Sequence, residues 1–160
     1  MLGIRVICIG RLRERFYVDA ANEYIKRLSG YCKPEIVEIP ECRVPAGPSD
    51  AQIAAALDKE QAAIRDKLQT GAFTVALCVE GHETDSGGLS ELLSGCAANG
   101  ASRLCFIIGG SYGLHESIKA DADKNLSLSK MTLPHSLARV ILLEQLYRAF
   151  KIAEGGKYHK

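Results

Sequence analysis

The chain has 160 residues, 47% hydrophobic and 24% charged, the size and balance of one globular domain that spans residues 1–160. A chain of this length buries about 70% of the surface it exposes when unfolded, so its core requires neither disulfides nor a structural metal. The net charge of +1 is unevenly spread: residues 1–34 carry seven basic and three acidic side chains, residues 35–91 four and eleven, and residues 92–160 nine and five. Basic ends are compatible with a phosphate backbone as partner, although a mixed solvated surface is the favoured account of charge alone.

From the N-terminus, IRVICI predicts a first strand over residues 4–9. Its apolar run precedes the basic residues, the reverse of a secretory signal, and no eighteen-residue apolar stretch follows anywhere, so a soluble, cytoplasmic protein with no membrane span is expected. Phe16, Ala20, Tyr24 and Leu28 repeat at helical spacing, and EIVEI over residues 35–39 predicts a second strand. Residues 40–50, with three prolines and a glycine, predict a surface loop, after which Ser49 or Asp50 caps a helix carrying Ile53, Ala56, Leu57, Ile64 and Leu68. Strands are expected at 73–80, 103–108 and, more weakly, 126–129, with shorter helices at 89–98 and 116–123. Pro134 opens the final helix and Gly155 and Gly156 end it. The apolar face of that helix is wider than a single sheet contact buries, so it is either a central helix of the monomer or one shared with a second copy. The alternation of strands and helices predicts an α/β fold, a mostly parallel sheet with helices on both faces.

The six cysteines form no C-x-x-C pair and are expected to be reduced, buried small hydrophobes. No histidine pair has metal-ligand spacing, so no metal is expected. A single glycine at Gly10 cannot serve as a dinucleotide fingerprint, and no P-loop is present. The sequence IIGGSYGL, residues 107–114, is a different matter: its glycines permit close backbone approach to a ligand, or simply a tight turn. Ligands of open α/β sheets gather beyond the carboxyl ends of strands, where loops after Leu77, Ile108 and Ser129 would converge. In LSLSKMTLPH, residues 126–135, alternating hydroxyls and apolar side chains could flank a purine or merely feed a helix cap.

FIIGGSYGL, followed by NLSLSKMTLPHSLARVILLEQLYRAFKIAEGGKYHK, resembles the RlmH family of ribosomal large-subunit pseudouridine methyltransferases of the SPOUT class. The similarity extends along the whole chain, through the opening IRVICIGRLRERFYVDAANEYIKRL and the EIVEIP and LCVEG segments. It implies a SPOUT-type α/β knot, a C-terminal trefoil knot in which the last segment threads through a loop, although topology rules alone favour an unknotted sheet. It further implies a homodimer, S-adenosylmethionine as cofactor, and methylation at N3 of a pseudouridine in 23S rRNA of the assembled ribosome. The cofactor positions it implies are Leu77, Gly109, Leu128, Ser129, Lys130, Met131, Thr132 and Leu133. Residues 81–88, GHETDSGG, depart from the usual pattern, which has a lysine after the first glycine, so no site role is assigned there.

An imide N3–H is a poor nucleophile until its proton leaves, and a group titrating near neutrality is suited to take it. His159 is therefore the expected proton acceptor or relay, with Tyr158 and Arg148 positioning the base and Glu144 as a weaker candidate. Arg11, Arg13 and Arg15 are expected to contact phosphates. The donor pocket is expected beside the chain's own final residues. Two other readings are a non-catalytic RNA or ribosome-binding module of the same fold and a flavodoxin-like small-molecule binder.

Overall fold

In the computed structural model the β-branched runs form a five-stranded parallel sheet of order β2-β1-β4-β3-β5. The structure describes residues 1–159, with side chains through Tyr158. In chain order the elements are β1 (Gly3–Ile9), α1 (Arg15–Leu28), β2 (Lys33–Ile39), α2 (Asp50–Lys67), β3 (Phe73–Glu83), α3 (Ser86–Ala98), β4 (Arg103–Ile108), α4 (Glu116–Asp121), β5 (Lys124–Ser127), α5 (His135–Ala153) and a final 3-10 turn, Lys157–His159. The alternating side chains of each strand divide the interior in two. Ile4, Val6, Cys8, Leu104 and Phe106 pack with residues of α1, α3 and α5 on one face, while Ile7, Ile9, Cys105 and Ile107 meet Ile64 of α2 and Ile118 of α4 on the other.

The fold class and all five strands agree with the sequence, and the differences lie at element ends. β5 occupies Lys124–Ser127, two residues before the expected run, because the Ser127 hydroxyl bonds the Ser129 carbonyl at 2.9 Å and the Met131 N–H bonds Ser129 Oγ at 3.0 Å. These local side-chain bonds curl the chain out of the ladder. β3 runs on to Glu83 through a bulge between Leu77 and His82, and α3 starts a turn early because the Asp85 carboxylate accepts from the Gly88 N–H at 2.7 Å. The Ser49 alternative holds for α2: it forms a reciprocal capping box with Gln52. Phe16, expected on the buried stripe of α1, is 66% exposed and lies against Tyr17.

The long helix α5 packs between α1 and α3, burying Leu142, Leu143, Leu146 and Ala149. The central-helix alternative thus accounts for much of its apolar width, while Leu137, Ile141 and Ile152 stay half-buried on another side. Gly155, at φ +70°, ends it in a double reverse bond: its N–H reaches Ile152 O and that of Gly156 reaches Lys151 O. The start of α5 is tied to β1 and β2 by an ion pair buried at its arginine end. Arg139 donates to Glu38 Oε2 at 2.7 Å and to Gly10 O at 3.0 Å, and the same Glu38 oxygen accepts from the Leu12 N–H at 3.2 Å. Four cysteines are buried, but Cys42 and Cys78 are only half-buried, because one lies in the proline loop and the other in the β3 bulge. Among the described residues no helix is long and apolar enough to cross a membrane.

Candidate functional site

Beyond the carboxyl ends of β3 and β4, and beside the segment leading from β5 to α5, lies a cavity of about 940 Å³. That is near the upper end of the range, roughly 300–1,000 Å³, of small-molecule sites. Three chain segments supply most of its wall, with α2 and α4 adding residues such as Leu57 and Lys119. The β3 bulge contributes Leu77, Cys78, Val79 and Glu80; the glycine loop contributes Gly109, Gly110, Ser111, Tyr112 and Gly113; and the β5–α5 segment contributes Leu128, Ser129, Met131, Thr132, Leu133 and His135. Ligand sites of open α/β sheets form at such strand ends because loops diverge there and leave backbone groups unpaired.

The glycine loop closes tightly upon itself. The Gly113 N–H bonds Gly110 O at 3.1 Å, and a side chain on Gly109 would put its Cβ 2.5 Å from the Gly113 carbonyl. Only glycine fits there, so the wall at this point is bare backbone. Leu77, Ile108, Leu128 and Leu133 line the cavity with apolar carbon, whereas Lys119 provides a charged end, bridged to Glu80 and, at 2.7 Å, to Glu116. Mutual hydrogen bonds hold Glu80 below the usual carboxylate range and raise Lys119 against the opposing effect of burial. Both therefore stay charged at neutral pH. Apolar walls, exposed backbone and a charged end suit a ligand that is part flat ring and part zwitterion.

Of the residues expected in a cofactor site, Leu77, Gly109, Leu128, Ser129, Met131, Thr132 and Leu133 all line this cavity. Lys130 does not; its side chain is 85% exposed and 3.8 Å from Glu83. The expected proton-handling group sits elsewhere. Arg148 donates to Tyr158 O at 3.1 Å and lies over the Tyr158 ring at 4.7 Å, and Glu144 accepts from both Arg148 and the Tyr158 hydroxyl. Glu144, the weaker candidate, is thus the hub of this cluster. Burial, with contributions from Tyr24 and Glu144, raises Tyr158 above the ordinary phenol value, so its hydroxyl is a donor and not a base at neutral pH. The side chain of His159 lies outside the described residues.

The expectation that the cavity lies beside the chain's own last residues is not met within one chain. Ala138 is the last residue of α5 on the cavity wall, and at about 1.5 Å per residue Arg148 lies roughly 15 Å further along the helix. Contributors that escaped sequence reasoning include His135, Lys119 and Glu41, whose carboxylate accepts from the Ser111 N–H at 2.7 Å. Only the position of His135 at a helix start hinted at a role. Among the described residues no group of three or more His, Cys, Asp or Glu could hold a metal ion.

The family model for predicted SPOUT methyltransferases matches residues 2–159. The chain belongs to that family. This SPOUT methyltransferase chain is 42% identical over 159 residues to the ribosomal RNA large subunit methyltransferase H of Bacillus cytotoxicus, with 99% of this chain and 100% of the relative covered. It shares its fold with a probable methylase family protein from Haemophilus influenzae, at TM-score 0.60 and 12% identity over 100% of this chain and 72% of the other. A tRNA methyltransferase from Aquifex aeolicus aligns at TM-score 0.52 and 17% identity, covering 91% of this chain and 69% of that one.

Proposed function

We propose that this chain is an S-adenosylmethionine-dependent methyltransferase that methylates N3 of a pseudouridine in 23S rRNA of the assembled ribosome. It acts in the cytoplasm as a homodimer, with residues 1–160 as one catalytic domain whose C-terminal segment is the knotted element. The observation that carries the reading is the convergence of Leu77, Gly109, Leu128, Ser129, Met131, Thr132 and Leu133 on one cavity in a chain that matches an rRNA methyltransferase along its whole length.

The residues present fit the donor. Leu77, Leu128 and Leu133 would flank the purine, backbone groups of the β5–α5 segment would meet its polar edge, and the Lys119 end would face the amino-acid part. S-adenosylmethionine, when bound, supplies an electrophilic methyl carbon on sulfonium sulfur. The protein's remaining work is to hold the acceptor nitrogen in line and to remove its proton. His159 takes or relays the N3 proton, the Tyr158 hydroxyl donates a hydrogen bond to a base carbonyl, and Arg148 balances the charge that develops on the imide. Because Tyr158 and Arg148 lie away from the cavity of their own chain, the reading has the second subunit bring its tail to this cavity.

The test is incubation of ribosomes lacking the modification with the protein and isotope-labelled donor, followed by mass spectrometry of the digested rRNA. Labelled N3-methylpseudouridine in 23S rRNA is the expected product. Donor binding with no label transferred would instead favour a ribosome-binding module.

A further inference from the structure

The proline loop between β2 and α2 reaches the cavity wall through a single carboxylate. Glu41 Oε1 accepts from the Ser111 N–H at 2.7 Å, and a Cβ on Gly110 would lie 2.7 Å from that oxygen and 2.9 Å from Ile9 Cγ2. The glycine loop is therefore seated between the end of β1 and Glu41, with its own Ser111 and Tyr112 exposed. Glu41 is in turn fixed from behind, since the next residue, Cys42, donates its N–H at 3.0 Å to Glu60, a glutamate buried on α2. A hydrogen-bonded path thus runs from α2 through the proline loop to Ser111, on the wall of the cavity. Among the described residues, the loop's other hydrogen bonds are internal, those of the Gly110–Gly113 turn and bridge. Glycine-rich backbone has the most conformational freedom to lose, so an outside charged acceptor has more effect here than on an ordinary turn.

We propose that Glu41 is a positioning residue for the methyl-donor site, its carboxylate setting the shape of the glycine loop before the donor arrives. The role rests on the methyl-donor reading given above. Without Glu41 the Ser111 N–H turns to water, the loop samples other shapes, and binding must select the competent one.

The test uses the full-length protein, S-adenosylmethionine as the calorimetric probe, and the variants Glu41→Ala and Glu41→Gln. Glu41→Ala is expected to weaken donor binding about tenfold, the worth of one charge-assisted hydrogen bond at a partly exposed site. Glu41→Gln, which keeps a carbonyl acceptor, should stay within about threefold of wild type. In steady state the alanine variant should raise the donor KM far more than it lowers kcat, and hydrogen exchange at the Ser111 amide should accelerate in the absence of donor. Wild-type donor affinity in Glu41→Ala would overturn the role of Glu41 alone. Tighter binding by that variant would also overturn it, marking the carboxylate as a competitor for the Ser111 N–H. A wild-type chain that binds no donor would overturn the methyl-donor reading and this proposal with it.

Discussion

Arg139 and Glu38 form an ion pair whose two ends are differently exposed, and that asymmetry predicts unequal costs of breaking it. The Arg139 side chain is 3% exposed and that of Glu38 is 42% exposed. Glu38→Ala leaves a buried guanidinium whose remaining partner is Gly10 O at 3.0 Å, and Arg139 Nε already has none among the described residues. The neighbouring Cys8 thiol offers no countercharge, because burial pushes it up to about 11 against the pull of Arg139. Removing the partner of a buried charge costs about 3–5 kcal/mol. For a chain of this length, that lowers the melting temperature by roughly 6–20 °C. Arg139→Met strands only a carboxylate that reaches water and keeps the Leu12 N–H at 3.2 Å, so about 1 kcal/mol is expected. The double variant should be more stable than Glu38→Ala alone, since it removes the orphaned charge. Urea unfolding of the four proteins measures the cycle. Equal costs for the two single variants, or strict additivity in the double, would refute the reasoning.

Burial, partly offset by the Cys42 N–H and reinforced by the nearby Glu41 charge, raises Glu60 above the ordinary carboxylate range. A carboxyl with a raised folded value contributes stability that is complete below its unfolded pKa and is lost as pH rises through the folded one. Glu60→Gln should remove that segment of the pH–stability profile, and superimposable urea midpoints for variant and wild type across the acid range would contradict this. His159→Ala should abolish turnover while leaving donor affinity unchanged, and mixing it with the cavity variant Gly109→Ala should restore activity if tail and cavity come from different subunits. No recovery on mixing would count against the shared site. Ribosome binding should fall steeply with added salt, and replacing Arg11, Arg13 and Arg15 with alanine should flatten that slope. An unchanged slope would remove these arginines from the RNA contact.

Elements whose identity rests on local chemistry were legible in the sequence. The β-branched runs around Ile7 and Ile107, the capping box at Ser49 and the glycine stop at Gly155 each carry their instruction in a few neighbouring residues. The glycine loop and the β5–α5 segment were likewise recognisable, and they do meet at one cavity. What escaped depends on contacts distant in the chain. Leu-Ser alternation continues past Ser127, so only hydroxyl-to-backbone bonding shows where β5 stops. Glu41 and Ser111 lie 70 residues apart, and nothing local distinguishes Glu41 from its acidic neighbours. Arg139 resembles any helix-surface arginine until its partner on β2 is known. The separation of Tyr158 from the cavity is a matter of helix length, which sequence proximity to the glycine and LSLSKM motifs concealed.

The cavity's claim to be a methyl-donor site is tested most directly by calorimetric titration of S-adenosylmethionine into the wild-type protein and into Gly109→Ala. Wild type should bind one donor per chain. The variant, whose added Cβ would fall 2.5 Å from the Gly113 carbonyl, should keep its fold by circular dichroism and lose measurable binding. A folded Gly109→Ala that binds as wild type does would place the donor elsewhere and contradict the account.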